Sequence, residues 1–188
     1  ALATVCISGT LEDKLEAAAG AGFDGVEIFE PDLVASALAP AEIRARCAGL
    51  GLSIDLYQPF RDLDSTDVER FAHNLRRAER KFELMAELGT DLILICSAVA
   101  PDAVADLDQL AAQLHAVAER ADAHGMRVAY EALAWGTKIN TYEQSWEAVK
   151  RADHPALGLC VDSFHILSRG SDPAGIADIP GEKLFFLQ

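Results

Sequence analysis

The chain has 188 residues, 51% of them hydrophobic and 24% charged, enough apolar material for a buried core and too much for wholesale disorder. Sixteen basic residues face thirty acidic ones, and the net charge of −14 repels phosphate backbones and anionic lipid surfaces, which excludes nucleic-acid binders and membrane-surface domains. No apolar run approaches the ~18 residues of a bilayer span.

The first residues lack a basic n-region and are expected to form a strand rather than a secretion signal, and the usage of the four cysteines suits a reducing compartment, so the expected location is the cytoplasm. Seven short apolar runs, at 3–7, 25–29, 53–58, 91–97, 127–132, 156–162 and 183–188, have strand length and are rich in Val, Ile, Leu and Phe. Their near-continuous apolarity suits parallel strands covered on both faces. Helical patterns separate them. Thr10 and Asp13 predict a capping box that opens a helix stopping at Gly20/Gly22. Pro40 predicts a first-turn position. Thr66 and Glu69 are expected to open a long helix closing at Gly89, and Pro101-Asp102 another ending at His124-Gly125. Thr141 and Gln144 open a further one, with Lys150 and Arg151 in its last turn, where they suit the helix dipole. Residues 172–178 are only weakly helical.

Strand starts recur every 22 to 38 residues with no linker or low-complexity break. That rhythm gives an α/β protein with a parallel sheet, either a (β/α)₈ TIM barrel or an open doubly wound sheet. Two features favour the barrel. No G-x-G-x-x-G follows the first strand and no phosphate-binding Walker A motif occurs. Polar residues gather at the strand C-termini, at Gln58, Ser97, Glu131, Asp162 and Gln188, where barrel active sites are built. A barrel needs eight strands, and seven are present. Residues 1–188 are therefore expected to be one catalytic barrel domain whose eighth βα unit, with any further domain, lies outside this sequence.

Glu131, Asp162 and Gln188 end the fifth, sixth and seventh strands, so three oxygen donors would converge at one barrel mouth. Two converging carboxylates need a cation, and oxygen-only ligation favours Mg²⁺ or Mn²⁺ over zinc, with Co²⁺ as a further candidate. The alternative is that these side chains are solvated strand ends or helix N-caps. His165, three residues past Asp162, falls in the same βα loop and could act as acid or base. Gln58 and Arg61 follow the third strand, which Pro59 is expected to end. Arg61 would either clamp an anionic substrate or pair with Asp62 or Asp64. Trp135 would wall the pocket or cover the barrel top. Glu27, central in the second strand, suits a fold-stabilising ion pair. His73, His115, His124 and His154 are expected on the surface. The four cysteines, Cys6, Cys47, Cys96 and Cys160, form no C-x-x-C pair and are expected to be small buried hydrophobes.

Several segments carry a resemblance. Ile7-Ser-Gly-Thr-Leu-Glu-Asp-Lys-Leu15 and Ala21-Gly-Phe-Asp-Gly-Val-Glu-Ile-Phe29 resemble the xylose-isomerase-like TIM-barrel superfamily. Gln58-Pro-Phe-Arg61, Tyr130-Glu-Ala-Leu-Ala-Trp-Gly136 and Val161-Asp-Ser-Phe-His165 are similar to bacterial 3-dehydroshikimate dehydratases, the type often fused to a 4-hydroxyphenylpyruvate dioxygenase-like domain. The resemblance implies a divalent-metal lyase that dehydrates 3-dehydroshikimate to protocatechuate through an enolate. It implies Glu131, Asp162 and Gln188 as metal ligands, with a fourth ligand, a glutamate on the eighth strand, outside these residues. Leu133 stands where some relatives carry a histidine, which leaves His165 as the proton-transfer candidate. Arg61 would hold the ring carboxylate, with Gln58 and Trp135 beside the substrate. A fused dioxygenase-like domain and homo-oligomerisation are partners compatible with this family. A sugar isomerase, an epimerase or an inosose-type dehydratase of the same superfamily is the competing reading, and a catalytically silent barrel scaffold is another.

Overall fold

A computed structural model describes all residues from 1 to 188. Seven strands alternate with helices: β1 Leu2–Ala3, α1 Leu11–Gly20, β2 Gly25–Phe29, α2 Glu30–Ala35, α3 Pro40–Gly49, β3 Ser53–Phe60, α4 Val68–Leu88, β4 Leu92–Cys96, α5 Leu107–Ala123, β5 Arg127–Glu131, α6 Tyr142–Ala152, β6 Leu157–Val161, α7 Ser163–Ser168 and β7 Leu184–Leu187. Three 3₁₀ segments, Thr4–Cys6, Pro173–Asp178 and Gly181–Lys183, complete the pattern. The chain forms two compact units, one of residues 1–59 and 80–93, the other of residues 60–79 and 94–188. No helix is long and apolar enough to cross a membrane.

In the first unit β1, β2 and β3 pair in parallel and in chain order. Leu11, Leu15, Ala18, Val26, Ile28, Ile43, Cys47 and Leu56 are buried there, so the apolar faces of α1 and α3 and the strand interiors supply its core. The capping box of α1 forms as the sequence predicts. Thr10 Oγ1 accepts from the Asp13 N–H, and Asp13 accepts from the Thr10 N–H. Lys14, on the buried side of α1, pairs with Asp32 of α2 at 2.8 Å. At Gly25, where β2 passes β3, a Cβ would sit 2.1 Å from Asp55 Oδ2, so the Asp55 and Ser53 side chains pack into the space that glycine leaves.

In the second unit β5, β6 and β7 are likewise parallel and sequential. Every residue of β6, and of β5 after Arg127, is buried, as parallel strands demand. The β6–β7 register shifts between Leu159 and Cys160. Gly158 lets the two strands approach, since a Cβ would meet the Phe185 ring at 2.6 Å. Thr141 and Gln144 make the second capping box, at α6, and Lys150 and Arg151 occupy its last turn.

Several local expectations are corrected. The first strand is only Leu2–Ala3, because the chain turns into a 3₁₀ segment at Thr4, and Cys6 is exposed rather than buried. β3 runs through Pro59 to Phe60. The helix expected from Pro101 starts at Leu107, capped by Asp106, whose side chain accepts from the Gln109 N–H. The α4 cap is Asp67 rather than Thr66, since Asp67 Oδ1 accepts from the N–H groups of Glu69 and Arg70. His154 is buried, with Nδ1 accepting from the Ala156 N–H at 3.1 Å and its ring edge-on to His115. The six-residue helices α2 and α7 follow their strands directly, and six residues are too few to show a periodicity.

Candidate metal centre

β5 ends in Glu131, which is 3% exposed. Asp162 follows β6 and caps α7, its Oδ1 accepting from the Phe164 N–H at 2.6 Å. The helix that it caps carries buried His165. His165 Nε2 lies 3.6 Å from Asp162 Oδ2 and 3.9 Å from Glu131 Oε1. One ligand atom from each of Glu131, Asp162 and His165 falls within 4.8 Å of the other two, and the group can hold a metal ion. The N-cap and metal-ligand readings of Asp162 are therefore not exclusive: one carboxylate oxygen caps the helix and the other faces the cluster. Gln188 follows β7, and its Oε1 is 3.7 Å from Cys160 Sγ, a sulfur that is also 3.9 Å from Glu131 Oε1.

The orientation of His165 is set from behind. The Ala134 N–H donates to its Nδ1 at 3.3 Å, so the neutral ring carries its proton on Nε2, toward the carboxylates. Burial lowers the pKa of this imidazole; Asp162 opposes that shift and the positive charge of Arg61 adds to it. Trp135 packs edge-on against the ring at 4.9 Å between centroids, and Phe164 at 5.5 Å, both largely exposed.

Arg61 is exposed, and its charge is felt at both His165 and Cys96. The two aspartates that could have paired with it are engaged elsewhere. Asp62 Oδ1 accepts from the Val99 and Ala100 N–H groups, and Asp64 Oδ2 accepts from the Val104 N–H at 2.8 Å. Gln58 belongs to the first unit, where its Nε2 donates to Glu27 Oε2 at 2.6 Å. Glu27 thus meets a neutral amide there.

Ser97, one of the polar strand ends that the sequence marks, and two cysteines that it reads only as buried hydrophobes also adjoin this centre. The Ser97 N–H donates to the Glu131 carbonyl at 2.8 Å, and its Oγ accepts from the Leu133 N–H at 3.0 Å, which holds the backbone on both sides of Ala132. Cys96 Sγ lies 3.4 Å from Glu131 Oε2. Burial and the Glu131 charge push the Cys96 thiol well up. A cysteine in an apolar strand looks the same in sequence whether its sulfur meets hydrocarbon or a carboxylate, so no signal in the sequence marks these contacts.

The family profile described as xylose isomerase-like TIM barrel matches residues 15–188. The chain is 59% identical over 187 residues to a 3-dehydroshikimate dehydratase of Pseudomonas aeruginosa, a match covering all of this chain and 30% of that protein. It is 56% identical over 187 residues to a protein of the same name from Pseudomonas putida, covering all of this chain and 29% of the relative. Among solved structures, a xylose isomerase-like TIM barrel/4-hydroxyphenylpyruvate dioxygenase fusion protein superposes with a TM-score of 0.98 at 56% identity, over all of this chain and 30% of that one. The chain thus spans under a third of the length of these relatives. With a parallel βα repeat, acidic strand ends gathered at one centre and a family profile that spans nearly all of its length, the chain belongs to the xylose isomerase-like TIM barrel family.

Proposed function

We propose that this chain is the catalytic barrel of a divalent-metal-dependent lyase that dehydrates 3-dehydroshikimate to protocatechuate. The observation that carries the reading is the 59% identity along the entire chain to a relative of that name. The Glu131–Asp162–His165 cluster supports it chemically. The fusion protein with which the chain superposes supports a dioxygenase-like domain as covalent partner in the full polypeptide.

Glu131, Asp162 and Gln188 are the residues that would hold the cation. The fit rests on their chemistry: a nearly fully buried carboxylate is costly unless a positive charge compensates it, and hard oxygen donors suit Mg²⁺ or Mn²⁺. Bound there, a divalent cation supplies positive charge for the oxyanion that develops at the substrate's ring carbonyl. His165 does a different task. Its Nδ1 is occupied by the Ala134 N–H, so the group that it offers to the site is the Nε2–H, a donor fit to hold the oxygen of the departing hydroxyl. Arg61 holds the ring carboxylate through its guanidinium fork, and Trp135 lies against the ring and keeps water from it.

The test is the full-length protein with 3-dehydroshikimate, with and without added Mg²⁺ or Mn²⁺, followed by the ultraviolet absorbance of protocatechuate. Metal-dependent product formation is expected. Turnover of neutral ketoses or inososes with none of 3-dehydroshikimate would overturn the reading in favour of a sugar isomerase.

A further inference from the structure

Two sulfurs lie against the Glu131 carboxylate. Cys96 of β4 and Cys160 of β6 form no disulfide and are 2% and 3% exposed. They reach different oxygens of one carboxylate: Cys96 Sγ lies 3.4 Å from Glu131 Oε2, and Cys160 Sγ lies 3.9 Å from Oε1. Cys160 Sγ is also 3.7 Å from Gln188 Oε1. Two residues before Asp162, Cys160 shares a strand face with it by the two-residue period of an extended chain.

We propose that Cys96 and Cys160 are positioning residues of the metal centre, whose S–H groups hold the Glu131 carboxylate and the Gln188 amide oxygen in the orientation that presents them to a divalent cation. This rests on the reading of Glu131 and Gln188 as ligands. A carboxylate with no fixed donor behind it samples several rotamers, and ordering it on cation binding costs side-chain entropy. Donors already in place remove that cost, which is why the partners of metal-ligating carboxylates matter almost as much as the ligands. Sulfur suits the task. The S–H is a weak donor, so it orients the carboxylate while withdrawing little of the charge that attracts the cation. A hydroxyl at the same positions would donate more strongly on a shorter arm.

The experiment is calorimetric titration of Mn²⁺ into the metal-free full-length protein, comparing wild type with Cys96→Ala, Cys160→Ala, Cys96→Ser and Cys160→Ser. Thermal unfolding without metal is run on each to isolate packing effects. The alanine variants are expected to weaken Mn²⁺ binding by about 10-fold, the lower end of what outer-shell partners contribute. The serine variants should recover most of the loss, since a hydroxyl still donates. Alanine variants with wild-type affinity would overturn the proposal. So would serine variants that bind as poorly as alanine while unfolding normally, because size rather than donation would then matter. A wild-type protein that takes up no Mn²⁺ at all would overturn the ligand reading itself, and this inference with it.

Discussion

The Ala134 N–H donates to His165 Nδ1 at 3.3 Å, and this contact decides what His165 offers to the site. With a donor pointing at Nδ1, the ring's proton stays on Nε2, and Nε2 has no lone pair for a cation. On the proposed reading His165 stands beside the ligands as a hydrogen-bond donor, although its Nε2 lies close enough to the carboxylates to share a cation with them if the proton moves. His165→Ala is expected to lower kcat by about 10²–10³, the scale of one donor aimed at developing oxygen charge. Mn²⁺ affinity should stay within about threefold of wild type, since no ligand is lost. Steady-state kinetics paired with metal titration checks this. A collapse in affinity would make His165 a ligand.

Asp162 separates two roles by its two oxygens. Asp162→Asn keeps an oxygen that can accept the Phe164 N–H and cap α7, but removes the negative charge facing His165. Metal-free thermal stability should be nearly unchanged. Divalent-ion affinity should fall by about 100-fold or more, beyond the 10–100-fold typical of outer-shell changes. Equal losses in stability and affinity would show that the capping role dominates.

Arg61→Lys tests the substrate's charge. If the guanidinium clamps a carboxylate, lysine keeps the charge but loses the planar fork. The loss of a charge-assisted contact of about 1.5–3 kcal/mol corresponds to roughly 10- to 100-fold in kcat/KM on 3-dehydroshikimate. Because Asp62 and Asp64 are engaged by backbone amides, thermal stability should not follow. An unchanged kcat/KM would remove Arg61 from the site.

Asp64 supplies a pH test of stability that is independent of the metal. It is 4% exposed, and its pKa is raised, first by burial, against the backbone N–H groups that lower it. A carboxyl raised in the folded state binds its proton more tightly there than when unfolded. Its contribution to stability is present at acid pH, below the ordinary aspartate value, and is lost as pH rises through the folded value. Asp64→Asn keeps an acceptor for the Val104 N–H without the buried charge. It is expected to melt higher than wild type at neutral pH, with the difference closing as the pH is lowered toward the ordinary aspartate range. Melting curves across that range check the sign, and an advantage that grows on acidification would contradict it.

Much of this architecture is readable from residue order because each βα unit repeats one physical solution, an apolar strand and an amphipathic helix with a marked start. Thr10 and Thr141 announce their helices by capping boxes. Asp106 and Asp67 are harder to read, because neighbouring Pro101 and Thr66 offer equally good local start signals and only the packed chain chooses between them. Glu131 and Asp162 are legible as acids after apolar runs, and His165 follows from its place one turn beyond. Gln58 is legible as a polar residue near the end of a strand, but not its amide contact with Glu27, since the partner lies 31 residues away on another strand. The thiols lie beyond sequence reading, since a cysteine in an apolar run carries no mark of the carboxylate that its sulfur meets.

Asp162 opens the same helical turn that carries His165, so an anionic ligand candidate and a proton-bearing group ride on one short rigid body. Their separation is set by the pitch of that turn rather than by the meeting of distant elements. Substitutions elsewhere in the barrel can tilt the pair against a substrate but leave the distance between them almost untouched. Changes of substrate preference within this scaffold should therefore come from residues such as Arg61 and Trp135, around a ligand–donor unit that is kept whole.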